Sequence, residues 1–227
     1  MTGIGTIVNV AAVVAGSCIG LAVGSRLPKR FMDILFQGLG LVTIIIGVSM
    51  ALESENLIIS VVGILFGAVL GELMNLDKGL DNMAGWLRRK MKFRSERFND
   101  ALVTATVLYC VGSMSILGSI EDGLGQYPRL LYTKSLMDGV SSVALSATMG
   151  IGVIFSIIPM LLYQGLLTLF AGSVSGILTP PLIAEMTAVG GVMLIGIGIN
   201  LLGLKKISVV NMLPALVVAP LVTYLFF

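Results

Sequence analysis

Lys134 and Asp138 stand four residues apart in the string Lys134-Ser-Leu-Met-Asp-Gly-Val-Ser-Ser142. On a helix that spacing puts an ammonium and a carboxylate on one face, close enough to pair. Ser142 falls on the same face, with Ser141 beside it. A second polar run, Cys110-Val-Gly-Ser-Met-Ser-Ile-Leu-Gly-Ser-Ile120, offers Ser113, Ser115 and Ser119 from a neighbouring segment. A charge in the bilayer interior costs at least a few kcal/mol and is normally placed for a task. A hydroxyl both donates and accepts, which suits the desolvation of a small ion or polar solute. The chemistry these residues offer is binding and passage, with Asp138 as a carboxylate able to carry a proton. The competing reading is structural: the pair pins two helices and the serines bond their own backbone.

Other polar residues lie in apolar surroundings: Asn9, Gln37, Gln164, Glu185, Asn200 and Asn211. Asn9, Asn200 and Asn211 sit deep enough in their segments to line a polar cavity or to bond between helices. Asn9 and Asn200 join the expected solute path. Glu185 and Asp33 fall near segment starts and read as interfacial, with Glu185 a second carboxylate suited to proton coupling.

The absences narrow the chemistry. There is no His, so the commonest metal ligand and the usual base near neutral pH are missing. Cys18 and Cys110 both lie in apolar runs and read as small core residues. No cofactor, metal or catalytic residue is expected, and an enzyme is disfavoured. A Ser-Lys dyad using Lys134 is the formal exception.

These residues need helices in lipid to hold them. The 227-residue chain is 56% apolar and 11% charged, with a mean hydropathy of +1.03. A soluble domain carries about 25% charge. The chain is therefore read as a single all-α integral membrane domain over residues 1–227. A span needs about 20 apolar residues. Eight segments qualify, roughly 4–24, 31–52, 57–75, 100–120, 128–149, 151–172, 181–203 and 207–227. The fifth is the most polar and the weakest of the eight, with a re-entrant or broken helix as its alternative. Residues 1–24 lack a basic leader region and are expected to be retained.

Charge sets the orientation. Loop 25–30 carries Arg26, Lys29 and Arg30, stretch 76–100 carries seven basic residues, and loop 204–206 carries Lys205 and Lys206. Eight spans put all three on one face, the cytoplasmic one, and leave both termini outside. Within stretch 76–99, Leu76, Leu80, Met83, Leu87 and Met91 recur at helical spacing beside Trp86 and Arg88-Arg89-Lys90. That pattern predicts an amphipathic helix on the anionic inner leaflet. No nucleic-acid partner is implied; the partners expected are the lipid bilayer and a small solute or ion.

Glycines recur every fourth residue in two segments: Gly16, Gly20, Gly24 and Gly63, Gly67, Gly71. Such stripes allow close helix packing in lipid, within the chain or in a homodimer. Pro159, Pro214 and Pro220 interrupt the sixth and eighth segments. Gly38-Leu-Gly40 and Gly196-Ile-Gly198 read either as unwound points near the midplane or, like the prolines, as places where the helices merely curve.

The chain also repeats itself. Gly40–Ala51 aligns without a gap on Gly191–Leu202 at an offset of 151, and 57–73 follows on 208–224. Gly5-Thr-Ile-Val-Asn9 lies over Gly152-Val-Ile-Phe-Ser156. Repeat one is 4–75 and repeat two 151–227, each of three helices (1–3 and 6–8), flanking the central polar helices at 100–149. An odd number of crossings separates the copies, so they are inverted, as in many transporters that alternate access between two sides.

CVGSMSILGSIEDGL, then KSLMDGVSSVALSATMGIGV, then YQG at 163–165, resemble an uncharacterised bacterial membrane family, domain of unknown function 554, of YqgA- and YdfK-like proteins. The opening GTIVN and the LP pair at 27–28 match as well. The resemblance covers essentially the whole chain. It implies a multipass protein of the bacterial inner membrane and no established substrate. Function is accordingly read as secondary transport of a small solute or ion. The alternatives are an ion channel and a membrane scaffold or assembly protein.

Overall fold

In the computed structural model the chain is helical throughout its long segments, and the described residues are 3–26, 28–80, 82 and 97–226. The expected amphipathic helix of the linker, with Met83, Trp86, Leu87 and Met91, falls outside them. The elements are α1 (Ile4–Gly24), α2 (Lys29–Ala51), α3 (Leu57–Leu73), α4 (Phe98–Cys110), α5 (Ser113–Gly123) and α6 (Arg129–Met149). They continue with α7 (Gly152–Phe155), α8 (Ile157–Leu169), α9 (Ala171–Val174), α10 (Pro180–Leu201), a 3-10 turn at Val209–Met212 and α11 (Ala215–Phe226).

Among the described residues, four helices are long and apolar enough to cross a membrane: Ile4–Gly24, Asp33–Ala51, Gly152–Leu169 and Pro180–Leu201. The pair α4 and α5 makes a fifth if it counts as one span bent by 61°. Leu57–Leu73 and Val209–Leu225 are apolar but shorter. α6 has the length, 21 residues, but Arg129, Lys134, Asp138 and its serines lower its apolarity.

Three local expectations change. The fifth segment is one unbroken helix, and the break falls in the fourth. There Gly112 adopts φ 145° and ψ 149°, a conformation essentially reserved for glycine. Gly38-Leu-Gly40 and Gly196-Ile-Gly198 are not unwound, since α2 and α10 run through them. The prolines are also less disruptive than expected. Pro159 sits in the first turn of α8, where its missing N–H costs little, and Pro214 precedes α11. Pro220 alone of these three lies beyond the first turn of a helix.

The chain forms two compact units, and each draws on both halves of the sequence. The first holds Met1–Leu35 and Asp100–Thr179, the second Phe36–Asn99 and Pro180–Phe227. Neither coincides with a three-helix copy.

In the first unit, α1 lies along α6. Gly16 meets the backbone of Gly139, Gly20 that of Val143, and Gly24 that of Ala147. The offset between partners is constant, so the two helices run parallel. A Cβ at any of the three glycines would overlap backbone atoms, so glycine is what lets the helices touch.

In the second unit, Gly63, Gly67 and Gly71 of α3 meet Ala219, Ala215 and Asn211 in reverse order, so the segments are antiparallel. α2 and α10 cross the same way: Gly40 faces the carbonyl of Gly198, and Gly47 faces that of Gly191. Of the glycines expected to unwind these helices, Gly40 and Gly198 instead lie at the contact between them. Both glycine stripes are covered by helices of the same chain.

Candidate functional site

The site in the first unit grows from α6. Lys134 Nζ donates to Asp138 Oδ1 at 2.8 Å and to Oδ2 at 2.6 Å. Their residues are 7% and 5% exposed. The pair is a buried salt bridge within a single helix.

Asn9 reaches this pair because the glycine stripe lets α1 lie against α6. Its Nδ2 donates to Asp138 Oδ2 at 3.1 Å and to Gln164 Oε1, on α8, at 3.3 Å. Met160 Sδ is 3.8 Å from the same nitrogen. A carboxylate only accepts, so the amide nitrogen of Asn9 must be the arm that faces Asp138. Asn9 and Gln164 are both fully buried, at 0% exposure. Their remaining arms, Asn9 Oδ1 and Gln164 Nε2, have no hydrogen-bond partner among the described residues. Buried polar atoms are nearly always bonded, so two on neighbouring amides call for an explanation.

Tyr109, at the end of α4, closes another side. Its hydroxyl is 2.7 Å from Ser142 Oγ, and Ser142 Oγ lies 2.6 Å from Asp138 O. The serine proton goes to that carbonyl, so the tyrosine proton goes to the serine. The helix break follows directly. Ser115 Oγ donates to the Tyr109 carbonyl at 2.8 Å, and Ser119 Oγ to Ser115 O at 2.7 Å. These two hydroxyls therefore serve the backbone and do not face the ion pair. Ser113 and Ser141 are half-buried.

Asn200 is not part of this site. It lies in the second unit, where its side chain accepts from Ile207 N at 2.6 Å and donates to Ile207 O at 2.8 Å, bracing the turn after α10. Asn211 likewise bonds Glu72 Oε2 at 2.6 Å and Asp77 N at 2.9 Å within that unit.

Two carboxylates hold helix starts. Glu185 is buried, at 1% exposure. It accepts from Ser60 Oγ at 2.6 Å, Asn56 N at 2.8 Å and Ser54 Oγ at 2.9 and 3.0 Å. Those donors wrap it at the start of α3. Asp122, near the end of α5, is fully buried and accepts from Gly3 N at 3.1 Å and Thr6 N at 3.2 Å. α1 has no side-chain cap of its own, and a carboxylate from α5 supplies one. No sequence signal marks Asp122 for that role, because its partners lie more than 100 positions away.

Among the described residues no group of three or more His, Cys, Asp or Glu could hold a metal ion. Cys18 is exposed and Cys110 buried, and both are free thiols.

The model of the family "Protein of unknown function (DUF554)" matches residues 4–224. The chain belongs to that family. It is 32% identical over 225 residues to the "Uncharacterized membrane protein YdfK" of Bacillus subtilis (strain 168), covering 97% of this chain and 95% of that one. It is 32% identical over 221 residues to the "Uncharacterized protein YqgA" of Escherichia coli (strain K12), covering 95% and 94%. No solved structure matches. This DUF554 chain is an all-helical membrane protein, and the ion pair lies inside one of the strings that carried the resemblance, KSLMDGVSSVALSATMGIGV.

Proposed function

We propose that this DUF554 protein is a secondary transporter of a small solute or ion, working by alternating access. The observation that carries the reading is the buried Lys134–Asp138 pair, joined through Asn9 to Gln164, beside two unpartnered amide atoms and a broken helix. A purely structural pair needs no such polar neighbourhood, and broken helices at buried polar sites are a recurring device of transporters. Asp138 is the proton-coupling carboxylate in this reading. Glu185, already occupied by its cap, is the weaker choice.

The inverted repeat is part of the proposal. Exchange of the two copies at their offset of 151 turns the Gly40–Gly198 contact into the Gly191–Gly47 contact, and both occur. A pseudo-two-fold between α2 and α10 requires that reciprocity. Helix directions support eight crossings: α1 and α6 run parallel, while α3 with α11 and α2 with α10 run antiparallel. In this topology the basic loops face the cytoplasm, the termini lie outside, and the membrane is the bacterial inner one. A homodimer would use surfaces other than the glycine stripes. No enzymatic activity is proposed.

The test is uptake into proteoliposomes. Asp138→Asn should abolish flux while the protein still inserts and folds. Countertransport, in which an internal load accelerates uptake, separates a carrier from a channel, which shows none. A scaffold role is favoured by one observation: Ser115, Ser119 and Ser142 spend their protons on their own backbone. Unchanged flux in Asp138→Asn would establish that role for the pair.

A further inference from the structure

We infer that the Lys134–Asp138 pair, with Asn9 and Gln164, is a binding site for a small zwitterion of the amino-acid type. This rests on the transport reading of the same residues and adds the chemistry of the cargo.

The argument starts from charge. α1 and α8 carry no charged residue, the charges of Lys134 and Asp138 on α6 cancel, and the buried carboxylate of Asp122 on α5 is held by backbone N–H groups at the start of α1. A net-charged solute brought here would add an uncompensated charge to a buried site, which is costly. A net-neutral one would not.

The hydrogen-bonding groups narrow the choice. The unpartnered acceptor, Asn9 Oδ1, belongs to the amide that bonds the carboxylate. The unpartnered donor, Gln164 Nε2, belongs to the next amide along. Together with the ion pair they offer two acceptors and two donors. A solute ammonium fits Asp138 and Asn9 Oδ1, and a solute carboxylate fits Lys134 and Gln164 Nε2. Binding then exchanges partners: the internal pair parts, and each of its members gains an opposite charge from the solute. One buried ion pair becomes two, and every charge keeps an opposite partner, so the exchange strands none. Met160, against Asn9, is a flexible and polarizable wall able to shift for solutes of different side chain.

The experiment is calorimetric titration of the full-length protein in detergent with glycine, betaine, urea, NaCl and KCl. Glycine should bind. Betaine keeps both charges but has no N–H, so it should bind at least about tenfold more weakly, the loss expected for a charge-assisted hydrogen bond. Gln164→Glu keeps the acceptor for Asn9 Nδ2 and the volume but removes the donor. It should lower glycine affinity at least about tenfold in protein whose thermal unfolding is cooperative. Gln164→Met, which removes the donor without adding charge, should do the same. Preference for Na⁺ or K⁺, urea binding equal to glycine, no binding at all, or glycine affinity unchanged in both variants would each overturn the proposal. Cation countertransport without glycine binding would leave the transport reading standing and remove this one. Glycine binding with no flux of any solute would do the reverse.

Discussion

Asn9 and Asp138 lie 129 positions apart in the chain and are joined by one buried hydrogen bond of 3.1 Å. That bond ties α1 to the ion pair of α6, and the glycine stripe below it sets the distance between the helices. Packing and polarity are thus two properties of one contact.

Removing one partner of the pair should cost more than removing both. Asp138→Asn leaves the Lys134 ammonium buried and uncompensated, at about 3–5 kcal/mol. Lys134→Met combined with Asp138→Leu should recover most of that stability, yet transport should stay absent. Unfolding of the two singles and the double in detergent gives the coupling; additive losses would mean that the pair is not an energetic unit.

The glycine stripe should be intolerant at its contacts and tolerant elsewhere. Gly20→Ala places a Cβ against Val143 O and Ser146 Cβ, and overpacking of this kind costs about 1–3 kcal/mol. Gly38→Ala meets nothing within 4 Å, and replacing an interior helical glycine there should stabilise by about 0.5–1 kcal/mol. Equal melting shifts for the two would contradict the close approach of α1 to α6.

Asp122 caps α1, and Glu185 braces the segment entering α3, whose cap is Asn56. Asp122→Ala removes the cap of α1, and Glu185→Ala leaves Ser60 Oγ, Ser54 Oγ and Asn56 N without their acceptor. Loss of a cap costs about 0.5–2 kcal/mol, and the stranded buried donors make Glu185→Ala the larger loss. Hydrogen exchange should show each effect first at the start of its own helix, Thr6 for α1 and Ser60 for α3.

Orientation can be read by labelling. Cysteines at Glu55 and Gly125 should react with an impermeant reagent added to intact cells, and cysteines at Arg26 and Lys205 should react after lysis alone, in a background lacking Cys18 and Cys110. Opposite behaviour of Arg26 and Lys205 would mean an odd number of crossings between them.

The sequence made the ion pair legible because four-residue spacing along one helix is a local property. It made the glycine stripes legible for the same reason. What it could not convey is rotation about a helix axis and the choice of neighbour. Depth in an apolar segment grouped Asn200 with Asn9, yet Asn200 braces a turn seven residues along its own chain. Gln164 stood among the buried polar residues, but its partner lies 155 positions away. The break at Gly112 was hidden among 28 glycines. In the two Gly-x-Gly motifs, Gly40 and Gly198 turned out to be contact points, because a missing Cβ serves an unwound backbone and a close crossing equally well.

The interleaving of the units bears on how the chain is made. α2 and α3 leave the ribosome long before residues 180–227, which complete their unit. Until then Ser54, Asn56 and Ser60 wait without Glu185, and Gly47 without Gly191. A nascent chain arrested before α10 therefore exposes polar donors and bare backbone to lipid, the features by which membrane quality control recognises an orphaned helix. Loss of the last two helices should accordingly be seen first as rapid degradation, ahead of any defect in activity.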